Sequence, residues 1–127
     1  ELGVSVVDLG DGPRALPPVE IVVEDGLYDY DARYNAGRTE FFVPARLETS
    51  VLDAARRVAV TAHQELGLRG LSRTDMIVDG DGTPWFLEVN SAPGMTETSL
   101  FPLAAEAEGL ALPELYRGIA DAATRPA

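Results

Sequence analysis

The chain has 127 residues, 46% of them hydrophobic, which suits one globular domain with a modest core. Its 21 acidic and 10 basic residues leave a net charge of −11, which argues against a nucleic-acid backbone or an anionic membrane as partner. No stretch approaches the roughly 20 apolar residues of a membrane span, and the absence of cysteine fits a reducing compartment, so a cytoplasmic protein is expected.

All ten basic residues are arginine. A chain that handled nucleotide phosphates alone would be expected to carry a phosphate-cradling lysine or a glycine-rich loop, and it has neither. Glu1 opens without a methionine on the run ELGVSVVDLG, which reads as a strand already under way. A piece of a longer protein is therefore expected.

Residues 2–9 and 19–23 read as strands, separated by the turn material Gly10-Asp11-Gly12-Pro13 and by Pro17-Pro18. Residues 25–38, DGLYDYDARYNAGR, carry three tyrosines and three aspartates without periodicity, a loop with binding-type side chains. Residues 41–47 resemble a short strand that Pro44 confines to a sheet edge or strand end. A helix follows, with Ser50 as N-cap, Asp53 at the third helical position, and Val51, Leu52, Ala55, Val58, Ala59, Ala62 and Leu66 on one face until Gly67. His63 lies on this helix as surface decoration, because no second ligand or nucleophile stands at useful spacing.

Residues 71–90 read as a hairpin. Asp81-Gly82 is the pair that two-residue type I′ loops prefer, and such a loop pairs residues whose numbers share one sum. Asp75 then faces Glu88 and Arg73 faces Asn90, all four on one side of the ribbon. The other side, with Thr74 opposite Val89, Met76 opposite Leu87 and Val78 opposite Trp85, is the predicted core face. Facing acids repel by a few tenths to about 1 kcal/mol. A raised pKa, a neutralising arginine such as Arg73, or a divalent cation held by Asp75, Glu88 and Asn90 could each offset that. Oxygen donors without His or Cys suit Mg²⁺ or Mn²⁺. A solvated polar face is the alternative.

After the loop SAPGMTETS come helices at about 100–108, closed by Gly109, and about 113–123. With no repeat and no linker, the fold class is α+β: a small, mostly antiparallel sheet backed by helices.

The run RTDMIVDGDGTPWFLEVNSAPGMTETSLFPLAAEAEGL resembles the C-terminal part of D-alanine–D-alanine ligases of the ATP-grasp superfamily. Their pattern there is Arg-x-Asp, a hairpin, Leu-Glu-x-Asn-(Thr/Ser)-x-Pro-Gly-Met-Thr and then Ser-Leu. The segments ALPPVEI, YDYDARY and FFVPARL extend the likeness over essentially the whole chain. The resemblance implies a C-terminal ATP-grasp subdomain spanning residues 1–127, without the N-terminal domain and most of the central domain.

It also implies roles for particular residues. Asp75, Glu88 and Asn90 match ligands of two Mg²⁺ (or Mn²⁺) ions that hold the phosphates of ATP, and Glu1 matches a contact to the nucleotide ribose. Arg73 and the backbone N–H of Gly94 match the oxyanion site, Ser99 matches the hydroxyl that positions the second D-alanine's carboxylate, and Tyr34 matches the loop residue that closes over the site. Arg33 stands where most of the family has a lysine near the phosphates, and arginine alters reach and geometry. The implied product is the D-Ala-D-Ala dipeptide for peptidoglycan, made through an acyl phosphate by a homodimer of the complete chain. Alternatives are D-lactate or D-serine as acceptor, another ATP-grasp carboxylate–amine ligase, or a chain that is inactive as it stands.

Overall fold

The computed structural model describes residues 1–23, 39–96 and 99–124. One antiparallel sheet is built from β1 (Leu2–Val7), β2 (Arg14–Ala15), β3 (Val19–Val23), β4 (Thr39–Phe42), β5 (Leu71–Val78) and β6 (Pro84–Asn90). Its order is β4-β3-β1-β5-β6, and β2 pairs with β1 beside β3. Three helices are described: α1 (Thr49–Glu65), α2 (Leu100–Ala107) and α3 (Leu112–Ala123). The expected α+β class holds. Among the described residues no helix is long and apolar enough to cross a membrane.

β1 is central, and all six of its residues are buried. Its even positions, Leu2, Val4 and Val6, pack with Met76, Ala45, Ala55 and Ala59 under α1. On the other face Val7 joins Leu16, Val19, Ile21, Leu100, Phe101, Ala104, Ala105 and Leu115 under α2 and α3. The sheet is thus covered on both faces rather than backed on one. Small residues at Gly3 and Ser5 make room on the α2 side: a Cβ at Gly3 would run into Leu100 Cδ1.

The prolines explain a register change beside β1. β2 pairs Val6 with Ala15 and β3 pairs Gly3 with Val19, a one-residue slip that falls at Pro17-Pro18, where no N–H can serve the ladder. Residues 2–9 were expected as one strand, and the ladder stops at Val7, where the Asp8 carboxylate turns the chain by accepting the N–H groups of Gly10 and Gly12. β4 is an edge strand that ends before Pro44, shorter than the 41–47 segment expected. Just beyond it, Glu20 accepts the backbone N–H, Nε and Nη2 of Arg46 at 2.9, 3.1 and 2.8 Å, while Arg46 stacks 3.7 Å from the Phe42 ring centroid. The Arg46 guanidinium holds the Glu20 carboxyl below its usual range.

Two helix expectations are corrected. α1 begins one residue before Ser50, with Glu48 at its N-cap and no side-chain cap bond, so the Ser50–Asp53 box does not form. His63 is 1% exposed rather than on the surface, because it lies one turn beyond Ala55 and Ala59 on the buried stripe. Its Nδ1 is 2.8 Å from Ser72 Oγ on β5, and its Nε2 is buried without a hydrogen-bond partner among the described residues.

Burial lowers the His63 pKa from its ordinary value, against a smaller opposing effect of the Asp8 charge. A depressed folded-state pKa means the unfolded chain binds the proton more readily. Stability is therefore expected to be full above about pH 6.5 and to fall as the pH drops from there toward the lower folded value. Thermal melts over that window should show this slope, and a His63→Gln variant should lack its histidine component; identical slopes would place the ring outside the linkage.

Candidate functional site

The hairpin carries most of the site, and its turn differs from the expectation. Among the described residues no non-glycine has positive φ, so Asp81 cannot sit in a type I′ loop; of this pair only Gly82 is left-handed, at φ 82°. Gly82 N–H donates to Asp79 O and Asp79 N–H to Thr83 O, both at 3.1 Å, which makes a three-residue loop. The Asp79 carboxylate secures it by accepting Trp85 Nε1 at 2.8 Å and the N–H groups of Asp81 and Thr83 at 2.9 and 3.0 Å. Those bonds, the indole first, hold its carboxyl below the usual range.

The longer loop shifts the register by one. Val78 pairs with Pro84, Ile77 with Trp85 and Met76 with Phe86, correcting the expected Met76–Leu87 and Val78–Trp85 pairs. A bulge between Asp75 and Met76 then absorbs Leu87, after which Asp75 faces Glu88, Thr74 faces Val89 and Arg73 faces Asn90 as expected. Two departures from the simple hairpin cancel at the acids.

Asp75 is 2% exposed and Arg73 7%, whereas Glu88 is exposed at the edge strand. The pair lies against Gly3, the cross-strand partner of Asp75: a Cβ there would stand 3.5 Å from Arg73 Cδ and 3.7 Å from Asp75 Oδ1. Arg73 Nε donates to Asp75 Oδ1 at 2.8 Å and Nη2 to Oδ2 at 3.1 Å, a two-point ion pair. Of the three ways to offset the facing acids, the arginine is thus present. The guanidinium meets each carboxylate oxygen once, Nε at Oδ1 and Nη2 at Oδ2.

The donor chemistry fits a hard ion. Among the described residues no cluster of three or more His, Cys, Asp or Glu occurs. The candidate set is two carboxylates and an amide, and Mg²⁺ is commonly held by one or two carboxylates together with substrate phosphates. Asn90 Oδ1 accepts the Ala92 N–H at 2.9 Å, which fixes the amide in a local turn and leaves its second lone pair as a donor.

Beyond the acids the same face becomes apolar. Ile77 and its partner Trp85 are 46% and 59% exposed, and Leu87 at the bulge is 49% exposed. The core assignment of Trp85 and Leu87 is thereby corrected, since among the described residues no helix covers this part of the edge strand β6. Period-two alternation from Asp75 to Ile77 is the sequence signal for this strip. Glu1, just before Leu2 and its partner Met76, stands at the same end of the sheet.

The second part of the site is the turn that enters α2. Ser99 is the helix N-cap, yet it makes no side-chain cap bond. Its Oγ instead accepts the Thr96 N–H at 3.0 Å and lies 3.0 Å from Thr96 Oγ1. A Cβ at Gly94 would stand 2.6 Å from Ser99 Oγ, so glycine is needed there for a close approach. Leu100, the next residue, packs in the apolar core and closes on Gly3 of β1. Tyr34 and Arg33 lie outside the described residues. An apolar groove of about 610 Å³ between α1 and β6, lined by Val58, Leu66, Pro84 and Phe86 among others, opens on the opposite face from the acids.

The family model for the D-Ala–D-Ala ligase C-terminus matches residues 1–120. The chain belongs to this ligase C-terminal family. A D-alanine–D-alanine ligase of Magnetococcus marinus is 48% identical over 120 residues, covering 94% of this chain and 37% of the relative. The D-alanine–D-alanine ligase of Bacillus anthracis complexed with ATP superposes with a TM-score of 0.73 at 30% identity, over 93% of this chain and 37% of that one. The VanG D-Ala:D-Ser ligase of Enterococcus faecalis superposes at 0.76 with 28% identity, over 95% and 35%. The chain thus spans under two-fifths of each of these ligases, in a family whose fold is the ATP-grasp fold.

Proposed function

We propose that residues 1–127 are the metal-, ATP- and acceptor-binding C-terminal part of an ATP-dependent D-alanine–D-alanine ligase. The carrying observation is the cross-strand pair Asp75–Glu88, flanked by Arg73 and Asn90, in a chain whose family match runs over residues 1–120. In this reading Asp75, Glu88 and Asn90 hold two Mg²⁺ or Mn²⁺ ions. Bound there, the ions would neutralise phosphate charge during phosphoryl transfer. The Ile77–Trp85 strip gives the nucleotide base an apolar surface beside the acids, and Glu1 at that end meets the ribose.

The γ-phosphoryl group of ATP passes to the carboxylate of the first D-alanine, leaving ADP and an acyl phosphate. The amine of the second D-alanine attacks the acyl carbon, and phosphate leaves. Arg73 and the Gly94 N–H stabilise the oxyanion that develops, donors fixed in advance by the ion pair and by the turn. Ser99 holds the acceptor's carboxylate. Tyr34 closes over the site and Arg33 meets the phosphates, roles that rest on the resemblance alone. The N-terminal part of the enzyme supplies the phosphate-binding lysines and the first D-alanine site, and the complete chain works as a cytoplasmic homodimer in cell-wall synthesis.

D-Serine is the rival acceptor, because a D-Ala:D-Ser ligase superposes as well as the dipeptide ligases do. The complete enzyme, given ATP, D-alanine, D-lactate and D-serine together, is expected to yield D-Ala-D-Ala by mass. Exclusive formation of either mixed product would overturn the acceptor assignment. Residues 1–127 alone are expected to be inactive, and D-alanine-dependent ATP hydrolysis by them would contradict that.

A further inference from the structure

The Ser99 hydroxyl is enclosed on two sides. Gly94 approaches it so closely that a Cβ would sit 2.6 Å from Oγ, and Thr96 covers another side through its N–H and Oγ1, each 3.0 Å away. The Ser99 N–H donates to Thr96 O at 3.0 Å and closes the turn. A serine hydroxyl has one hydrogen to give and two lone pairs to fill. The Thr96 N–H fills one lone pair. If the Thr96 hydroxyl fills the other, the single Ser99 hydrogen is left to point away from Gly94 and Thr96. If the polarity is reversed, Ser99 spends its hydrogen on Thr96 and presents only lone pairs outward, which an anion rejects.

We infer that Thr96 is a positioning residue for the acceptor: its N–H and hydroxyl saturate Ser99 Oγ, so that Ser99 presents its O–H to the carboxylate of the incoming amino acid. This rests on the reading of Ser99 as the acceptor's carboxylate partner. It also accounts for an N-cap serine that makes no cap bond to its own helix. Spending Ser99 on the helix would remove the donor from the site.

The test is steady-state kinetics of the complete enzyme with D-alanine and ATP varied separately. Thr96→Val keeps the N–H and the shape but removes the hydroxyl, and it is expected to raise the acceptor D-alanine KM about five- to tenfold while the ATP KM stays unchanged. Thr96→Ser should restore the acceptor KM to within about twofold, as it returns the hydroxyl. In a Ser99→Ala background Thr96→Val should have no further effect on that KM, since the hydrogen it orients is gone. An equal increase in both backgrounds, or a parallel rise in the ATP KM, would overturn the inference while leaving the role of Ser99 intact. An unchanged acceptor KM in Ser99→Ala alone would remove both.

Discussion

Replacing Arg73 by methionine is expected to destabilise the domain by about 3–5 kcal/mol, the usual cost of leaving one member of a buried ion pair without the other. Asp75 is 2% exposed, and the arginine meets both of its oxygens at 2.8 and 3.1 Å. Without the guanidinium the buried carboxylate loses its counter-charge and two hydrogen bonds. Folded domains of this size are stable by only about 5–15 kcal/mol, so the loss is a large fraction of the total. Urea unfolding should show a lower midpoint at unchanged slope. The double replacement Arg73→Met with Asp75→Leu should recover much of the deficit, because it removes both charges and fills the space. A single variant within about 1 kcal/mol of the parent would mean that the pair is not what stabilises the strand.

Glu88→Gln should separate activity from fold. The residue sits exposed on the edge strand β6, so its replacement by a neutral isostere is expected to change stability by less than about 0.5 kcal/mol. In the complete enzyme, turnover is expected to fall by more than about a hundredfold, because an amide is a poor substitute for a charged oxygen ligand of Mg²⁺. Asp75 could not be tested as simply: it holds Arg73 as well, so its loss would disturb the fold and the site together. A Glu88→Gln enzyme that kept more than about a tenth of the parental rate would remove Glu88 from the metal site.

The facing acids were legible from the sequence, though by a route that the structure corrects. Asp81-Gly82 suggested a two-residue loop, yet Gly82 alone is left-handed and the loop has three residues. A bulge at Leu87 restores the Asp75–Glu88 pair. Nothing in a turn dipeptide reports a bulge several residues away, because the bulge answers to what the strand must present rather than to local preference. Strand β3 and the two C-terminal helices, by contrast, follow closely from proline, glycine and apolar spacing. Ser50 failed as a cap because Thr49 already lies in the helix, with Glu48 as the cap. His63 looked peripheral for want of a ligand partner, but helical spacing from Ala55 and Ala59 already placed it on the buried stripe. The exposure of Trp85 was not legible at all from its apolar character. It depends on how far α2 reaches along the sheet, a tertiary fact.

Within the site, the sequence grouped Arg73, Asp75, Glu88 and Asn90 correctly and the structure brings them onto one ribbon face. It did not show that Arg73 is committed to Asp75, nor that Ser99, Thr96 and Gly94 close on one another. Both are tertiary contacts, the first made where Gly3 lets β1 approach β5 and the second where Gly94 lets the turn close on Ser99.

Whether Asp75, Glu88 and Asn90 form a metal site can be read by counting bound Mn²⁺ with electron paramagnetic resonance. With a non-hydrolysable ATP analogue, the complete enzyme is expected to bind about two Mn²⁺ per chain, and the Glu88→Gln variant one or fewer. Two ions bound equally tightly by both proteins would place the metal ligands elsewhere.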